Sequence, residues 1–178
     1  YNIENIGFNS VNIDINYDGS QIIMSGNNYL SFYNYDDTTN NYVLQNSFNN
    51  IYTSFATSIA LSNDGNTAVI KSAEYIDIYT KTSNIWSTSQ ILNINVPVNS
   101  KTNLINNISI NHDGTRFIYN AMKEISADDY KSTINHYKKE GSSYILQNEY
   151  DITNINITDA SHNVIHNNSA NYDVNIKN

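Results

Sequence analysis

Apolar and polar residues alternate along most of this chain in short runs, the period of a β-strand with one buried face. The run "IDINYDGSQII" spans Ile13 to Ile23, and "IALSNDGNTAV" spans Ile59 to Val69. "ISINHDGTRFI" follows from Ile108 to Ile118, and "INITDASHNVI" from Ile155 to Ile165. Each reads as strand, tight turn, strand. The turn pairs are Asp18-Gly19, Asp64-Gly65, Asp113-Gly114 and a degenerate Ala160-Ser161, at intervals of 46, 49 and 47 residues. Asp-Gly between alternating apolar runs signals a hairpin, because glycine takes positive φ without steric cost.

A third alternating run follows each hairpin: "YLSFY" (29–33), "YIDIY" (75–79), "TINHY" (133–137) and "DVNIK" (173–177). Tyr33, Tyr79 and Tyr137 close the first three at one position of the unit. A fourth run comes next: "YVLQN" (42–46), "WSTSQIL" (86–92) and "YILQN" (144–148). Four strands over about 47 residues match one blade of a β-propeller. The C-terminus stops after a third strand, while "YNIEN" (1–5) has the look of a fourth. The expected architecture is therefore all-β, a single domain over 1–178, with repeats near 6–48, 49–92, 104–148 and 149–178 plus 1–5. Tyr1 to Asn5 is expected to pair alongside Asp173 to Lys177 and close a ring of four blades. The alternative is an arc of a larger propeller, since the chain opens on Tyr1 and is expected to be a processed product or an excerpt. Helix signals are nearly absent; "AMKEISADDYK" (121–131) is expected to be a loop.

The second unit resembles a known family. In "SIALSNDGNTAVI…YIDIYTKTSNIWSTSQIL" (58–92), the Ala-Leu-Ser…Asp-Gly-Asn-Thr-Ala run, the "IYT" strand, Trp86 and Leu92 resemble the FG-GAP propeller repeat of the integrin α-chain type. Units one and three match at the Asp-Gly turn and the third-strand tyrosine; the fourth lacks even Asp-Gly. The resemblance implies a propeller and a role in adhesion or protein–protein contact. It does not imply an enzyme, because fold alone never decides function.

Charge narrows the partners. The net charge is −8, with nine basic residues and Arg116 the single arginine. Phosphate neutralisation requires clustered lysine and arginine, so nucleic acid is not expected. Anionic membrane surfaces attract polybasic segments, and no apolar stretch approaches a spanning helix, so no membrane insertion is expected. With no cysteine, neither disulfides nor thiolate metal sites are available. The abundance of Asn, Ile and Tyr is expected to reflect codons rich in A and T, as in the genomes of large DNA viruses and some protists.

The candidate chemistry is sparse. Asp14, Asn16 and Asp18 form a D-x-N-x-D-G spacing that would suit calcium, the one cofactor the sequence raises. The integrin-like pattern wants a further acid three positions after the glycine, where this chain has Ile22. The simpler reading is a strand's polar face and its turn. His112, His136, His162 and His166 are spread over separate turns and strands and are read as solvated. His162 and His166 cannot pair on zinc in an extended segment, where i and i+4 lie about 13 Å apart. One arginine cannot grip a carboxylate as a sialidase-type site would. No nucleophile elbow, P-loop or dinucleotide fingerprint occurs. Sequons stand at Asn107, Asn156 and Asn167 and matter only on a secretory route.

These readings converge on a non-catalytic scaffold. The insertion 123–131 departs from blade length, and long loops on regular scaffolds carry function. Glu124, Asp128, Asp129 and Tyr130 are its candidate contact residues. The expected partners are other proteins, such as capsid or surface proteins, with a virion or extracellular surface as the setting. The competing readings are a calcium- or glycan-dependent adhesion module and a degenerate propeller glycoside hydrolase.

Overall fold

The computed structural model describes residues 12–26, 29–49, 58–72, 75–94, 107–126, 129–152, 157–158 and 164–166. Every regular element among them is a β-strand. Sheet I comprises β1 (Asn12–Ile15), β2 (Gln21–Gly26), β3 (Tyr29–Asp36) and β4 (Asn41–Asn49) in sequence order. Sheet II comprises β5 (Ser58–Leu61), β6 (Thr67–Lys71), β7 (Tyr75–Thr82) and β8 (Ile85–Asn93). Sheet III comprises β9 (Ile108–Ile110), β10 (Arg116–Ser126), β11 (Asp129–Glu140) and β12 (Ser143–Asp151). All neighbours run antiparallel.

The three sheets repeat one another to the residue. The first pair closes as Ile15↔Ile22, Leu61↔Ala68 and Ile110↔Phe117. The third and fourth strands share a bulge after Phe32, Ile78 and His136, which leaves Gln45, Ser89 and Gln147 as the extra residues. The turns are equally alike. Gly19, Gly65 and Gly114 sit at φ of 73°, 69° and 68°, the left-handed region where a Cβ is strained. Each glycine N–H donates to the residue three before it, Asn16, Ser62 or Asn111, at 2.9–3.2 Å. The side-chain oxygens of those same residues accept from the N–H of Gln21, Thr67 and Arg116 at 2.8–3.0 Å.

Strand alternation gives each sheet two faces. Ile23, Leu30 and Phe32 of sheet I pack on Ile59, Leu61, Ala68, Ile70, Tyr79 and Trp86 of sheet II. The opposite face of sheet II packs Ala60, Val69, Ile76 and Ile78 on Ile108, Ile110, Phe117, Tyr119 and Tyr144 of sheet III. Sheet II is thus covered on both faces, and β6 is buried throughout. That explains its near-continuous apolar run "TAVI", since a strand buried on both sides loses the polar half of its alternation. Rings fill the first interface: Phe32 stacks on Trp86 at 4.2 Å between centroids and 19° between planes. In the second, Phe117 stacks on Tyr137 at 4.9 Å.

Backbone polar groups also tie the sheets. Leu61 N donates to Asp14 Oδ2 at 2.8 Å, and Ile108 N to Ser58 Oγ at 3.2 Å. The turns join too, with Tyr17 N on Asn63 O at 3.2 Å and Asp64 N on His112 O at 3.0 Å. The first strands therefore lie innermost, side by side, and the three sheets follow chain order as an arc.

The expected architecture holds for three of its four units. Of the fourth, β13 (Ile157–Thr158) and β14 (Val164–His166) are described, and they pair antiparallel. Their register is Ile157↔His166 and Thr158↔Val164, shifted from the sister hairpins, where the equivalent of Ile157 would meet Val164. The expected pairing of 1–5 with 173–177, His162, and the sequons at Asn156 and Asn167 lie outside the described residues. One expectation is corrected: residues 121–126 and 129–131 are not a loop. They are the facing ends of β10 and β11, because "IYNAM" and "YKSTINHY" keep the strand alternation through the insertion.

Candidate interaction hairpin

β2 and β6 have six and five residues, whereas β10 has 11. The extra length is Met122 to Ser126, paired as Met122↔Ser132, Lys123↔Lys131, Glu124↔Tyr130 and Ser126↔Asp129, with a bulge between Glu124 and Ser126. Five residues at about 3.4 Å each carry the tip some 17 Å beyond the sister hairpins. Three of the four candidate contact residues, Glu124, Asp129 and Tyr130, therefore lie on one two-stranded ribbon. Asp128 lies outside the described residues.

Both margins of the ribbon are open among the described residues. On the β9 side, pairing ends at Tyr119↔Ile108 and a bond from Asn120 N to Asn107 O at 3.3 Å. On the β12 side, it ends at Thr133↔Asp151 and a bond from Ile152 N to Ser132 O at 2.8 Å. Past those points the outward N–H and C=O groups meet no described strand. Such margins pair readily with another extended chain.

The root is fixed. Thr133 and Asn135 are buried, and Asn135 Nδ2 donates to Thr133 Oγ1 at 3.1 Å. Buried Asn120 accepts from Asn107 N at 2.9 Å. Lys131 Nζ lies 3.6 Å from Glu149 and 3.8 Å from Asp151, a half-exposed pair of ion contacts that orients the strand more than it stabilises it. Burial, followed by the neighbouring Tyr137 and Glu149, pushes the Tyr119 hydroxyl well above its ordinary range, so it stays a neutral donor. At the same end of sheet II, Lys71 is 4% exposed, and burial lowers its pKa to about 8. Its Nζ reaches Ser72 O at 3.4 Å.

The other candidates stand apart at the opposite end of the sheets. Asp14 Oδ1 accepts from Ile15 N at 2.9 Å, and its Oδ2 holds Leu61 of sheet II. Asn16 and Asp18 accept from the turn amides of Gln21 and Ser20. The side-chain and backbone bonds from Ser20 hold the Asp18 carboxyl below its ordinary pKa. Thr115 does the same for Asp113. These oxygens cap turns and join blades, and among the described residues no group of three or more histidines and carboxylates gathers around one point. His112 is an exposed turn residue, while His136 sits mid-strand between Ile118 and Asn148 and is half-buried, contrary to the solvated-turn reading.

Sequence reasoning missed two features. The strand character of the insertion was available in its alternation. The burial of Lys71 had no local signal, because it follows from sheet III covering that face.

No protein-family model matches the chain, and no curated protein matches it in sequence. Solved structures do match in fold. One is a protein of unknown function from Desulfotomaculum acetoxidans, at 16% identity and a TM-score of 0.52 over 78% of this chain and 41% of that one. Another, from Lactobacillus plantarum, has 13% identity and a TM-score of 0.53 over 80% and 41%. A candidate 6-phosphogluconolactonase from Bacteroides fragilis has 13% identity and a TM-score of 0.53 over 79% and 37%. The chain thus spans about two-fifths of the length of these similar structures. The likeness shows a propeller-like all-β fold and nothing finer.

Proposed function

We propose that this chain is a non-catalytic propeller-type scaffold that binds another protein through the β10–β11 hairpin. In this reading the fourth repeat and strand 1–5 complete a ring of four blades, and the protein serves as a structural or surface component of an assembly such as a virion. The observation that carries it is the ribbon, a firm root bearing a projecting strand pair whose margins meet no strand among the described residues. The resemblance of 58–92 to the FG-GAP repeat supports a contact role. The test replaces residues 123–131 by Asn-Gly, which leaves Met122 and Ser132 flanking a two-residue hairpin turn. Wild-type protein should retain a discrete partner from its source particle or cell. The shortened variant should lose it with an unchanged melting temperature. Equal capture by both proteins would overturn the reading.

A second reading comes from two similar structures named as candidate 6-phosphogluconolactonases. A phosphorylated sugar lactone needs gathered cations, yet Lys81 lies over Trp86, Lys139 over Tyr144, and Lys131 against Glu149 and Asp151. Hydrolysis of 6-phosphogluconolactone above the spontaneous rate would favour that reading over a scaffold.

A further inference from the structure

Backbone direction decides what the ribbon offers a partner. Asn120 N donates to Asn107 O beside β9, so the N–H and C=O of Asn120 point away from β11. Successive residues of a strand alternate in this respect. Those of Met122 and Glu124 therefore point the same way as Asn120, while Ala121 and Lys123 turn theirs towards Thr133 and Lys131 of β11. The β9 pairing ends at Tyr119↔Ile108. Met122 and Glu124 thus hold two donors and two acceptors in line, about 7 Å apart, on a margin that meets no strand among the described residues.

The register also sets a charge pattern. Lys123 stands directly opposite Lys131 on one face of the ribbon, and like charges so placed cost stability unless anions answer them. On the β12 side the sheet supplies the answer, with Glu149 and Asp151 at 3.6 and 3.8 Å from Lys131 Nζ. Asp129, the ribbon's own acid on this face, lies two places nearer the tip, opposite Ser126. On the β10 side the place that corresponds to β12 holds no described strand. A second copy of the chain fits that place poorly. Two-fold pairing that uses both Met122 and Glu124 is centred on Lys123 and sets that lysine against itself.

We infer that the hairpin binds its partner by strand addition: an extended acidic segment of another protein pairs with Met122 and Glu124 of β10 and sets a carboxylate against Lys123. The inference rests on the reading of this hairpin as the contact site and names the chemistry of what it contacts. The probes are three end-blocked pentapeptides, Thr-Val-Glu-Val-Thr and its versions with Gln or Lys at the centre. Each is titrated into the full chain to millimolar concentration and followed by backbone amide resonances. The amides of Met122 and Glu124 should shift with the glutamate peptide, at a Kd about threefold below that of the glutamine peptide. The lysine peptide should bind weakest, and Lys123→Glu should reverse the order. Glu124→Pro removes an N–H that points away from β11, so the ribbon's own ladder is kept, and it should abolish the shift at Met122. No shift at Met122 and Glu124, or equal affinity for the three peptides, would overturn the inference. The capture experiment separates this failure from failure of the hairpin itself. Partner lost on removal of 123–131 but kept by Glu124→Pro and Lys123→Glu would overturn strand addition alone. Partner kept on removal of 123–131 would overturn both.

Discussion

The stack of Phe32 on Trp86 is where the arrangement of sheets I and II is most exposed to measurement. Both side chains are buried, Phe32 also leans on Tyr79 at 5.8 Å and on Phe48 at 6.0 Å, and no other tryptophan is present. Phe32→Leu removes the ring while keeping much of the volume. The lost stacking is worth about 0.5–1.5 kcal/mol, and repacking adds up to about 1.5 kcal/mol. The expected loss is therefore about 0.5–3 kcal/mol, or a fall of about 1–12 °C in melting temperature for a chain this size. Trp86→Leu should cost at least as much. Because the rings meet across the interface, the double variant should cost less than the two singles together by about 0.5–1.5 kcal/mol. Phe117→Leu, in the other interface, should add to Phe32→Leu within about 0.5 kcal/mol. Urea unfolding followed by far-ultraviolet circular dichroism gives all these values. Additive Phe32 and Trp86 would refute the reasoning, because rings that do not touch cannot couple.

Three further outcomes follow from the turns and the buried lysine. Gly114→Ala puts a Cβ at positive φ and against the Thr67 side chain of sheet II, whereas at Gly141 a Cβ meets nothing. Both should lose about 1–2 kcal/mol to backbone strain, Gly114→Ala should lose more, and Thr67→Ala, which keeps a Cβ 2.6 Å away, should recover only part of the difference in unfolding experiments. Tyr144 donates its hydroxyl to Gly114 O, and Tyr42 donates to Gly19 O at 2.6 Å. Tyr144→Phe should destabilise by about 1–3 kcal/mol by leaving a buried carbonyl unmet, and Tyr42→Phe by less at its wetter site. Lys71, with a folded pKa of about 8 against 10.5 unfolded, binds fewer protons when folded. Stability should therefore rise as pH climbs from about 8 towards 10. Above 10 it should fall, because burial raises the pKa of Tyr29, Tyr119, Tyr137 and Tyr144 and the unfolded state loses their protons first. Lys71→Met should raise stability at pH 7 and flatten the rising limb in a pH series of denaturant midpoints.

The turns were the most legible part of the sequence. Asp18-Gly19, Asp64-Gly65 and Asp113-Gly114 mark positive-φ glycines wherever they occur, because that conformation is a local demand. The strand quartets were legible for the same reason, since alternation is local. The contacts between sheets were not, because Asn46, Gln90 and Trp86 acquire meaning only once two sheets lie together. The insertion at 121–131 was misread because Asp-Asp and Lys-Glu pairs suggested solvent, and a strand ribbon that extends past its sheet can carry charge as readily as a loop does. The proposed site was legible as a place, the one unit longer than its sisters, but not as a geometry.

Native-state hydrogen exchange of the backbone amides tests the ordered stack most directly. With sheet II covered on both faces by its neighbours, the amides of Val69, Ile70 and Ile78 should be among the slowest in the molecule. Faster exchange in β6 and β7 than in the sheets on either side would contradict the ordered stack.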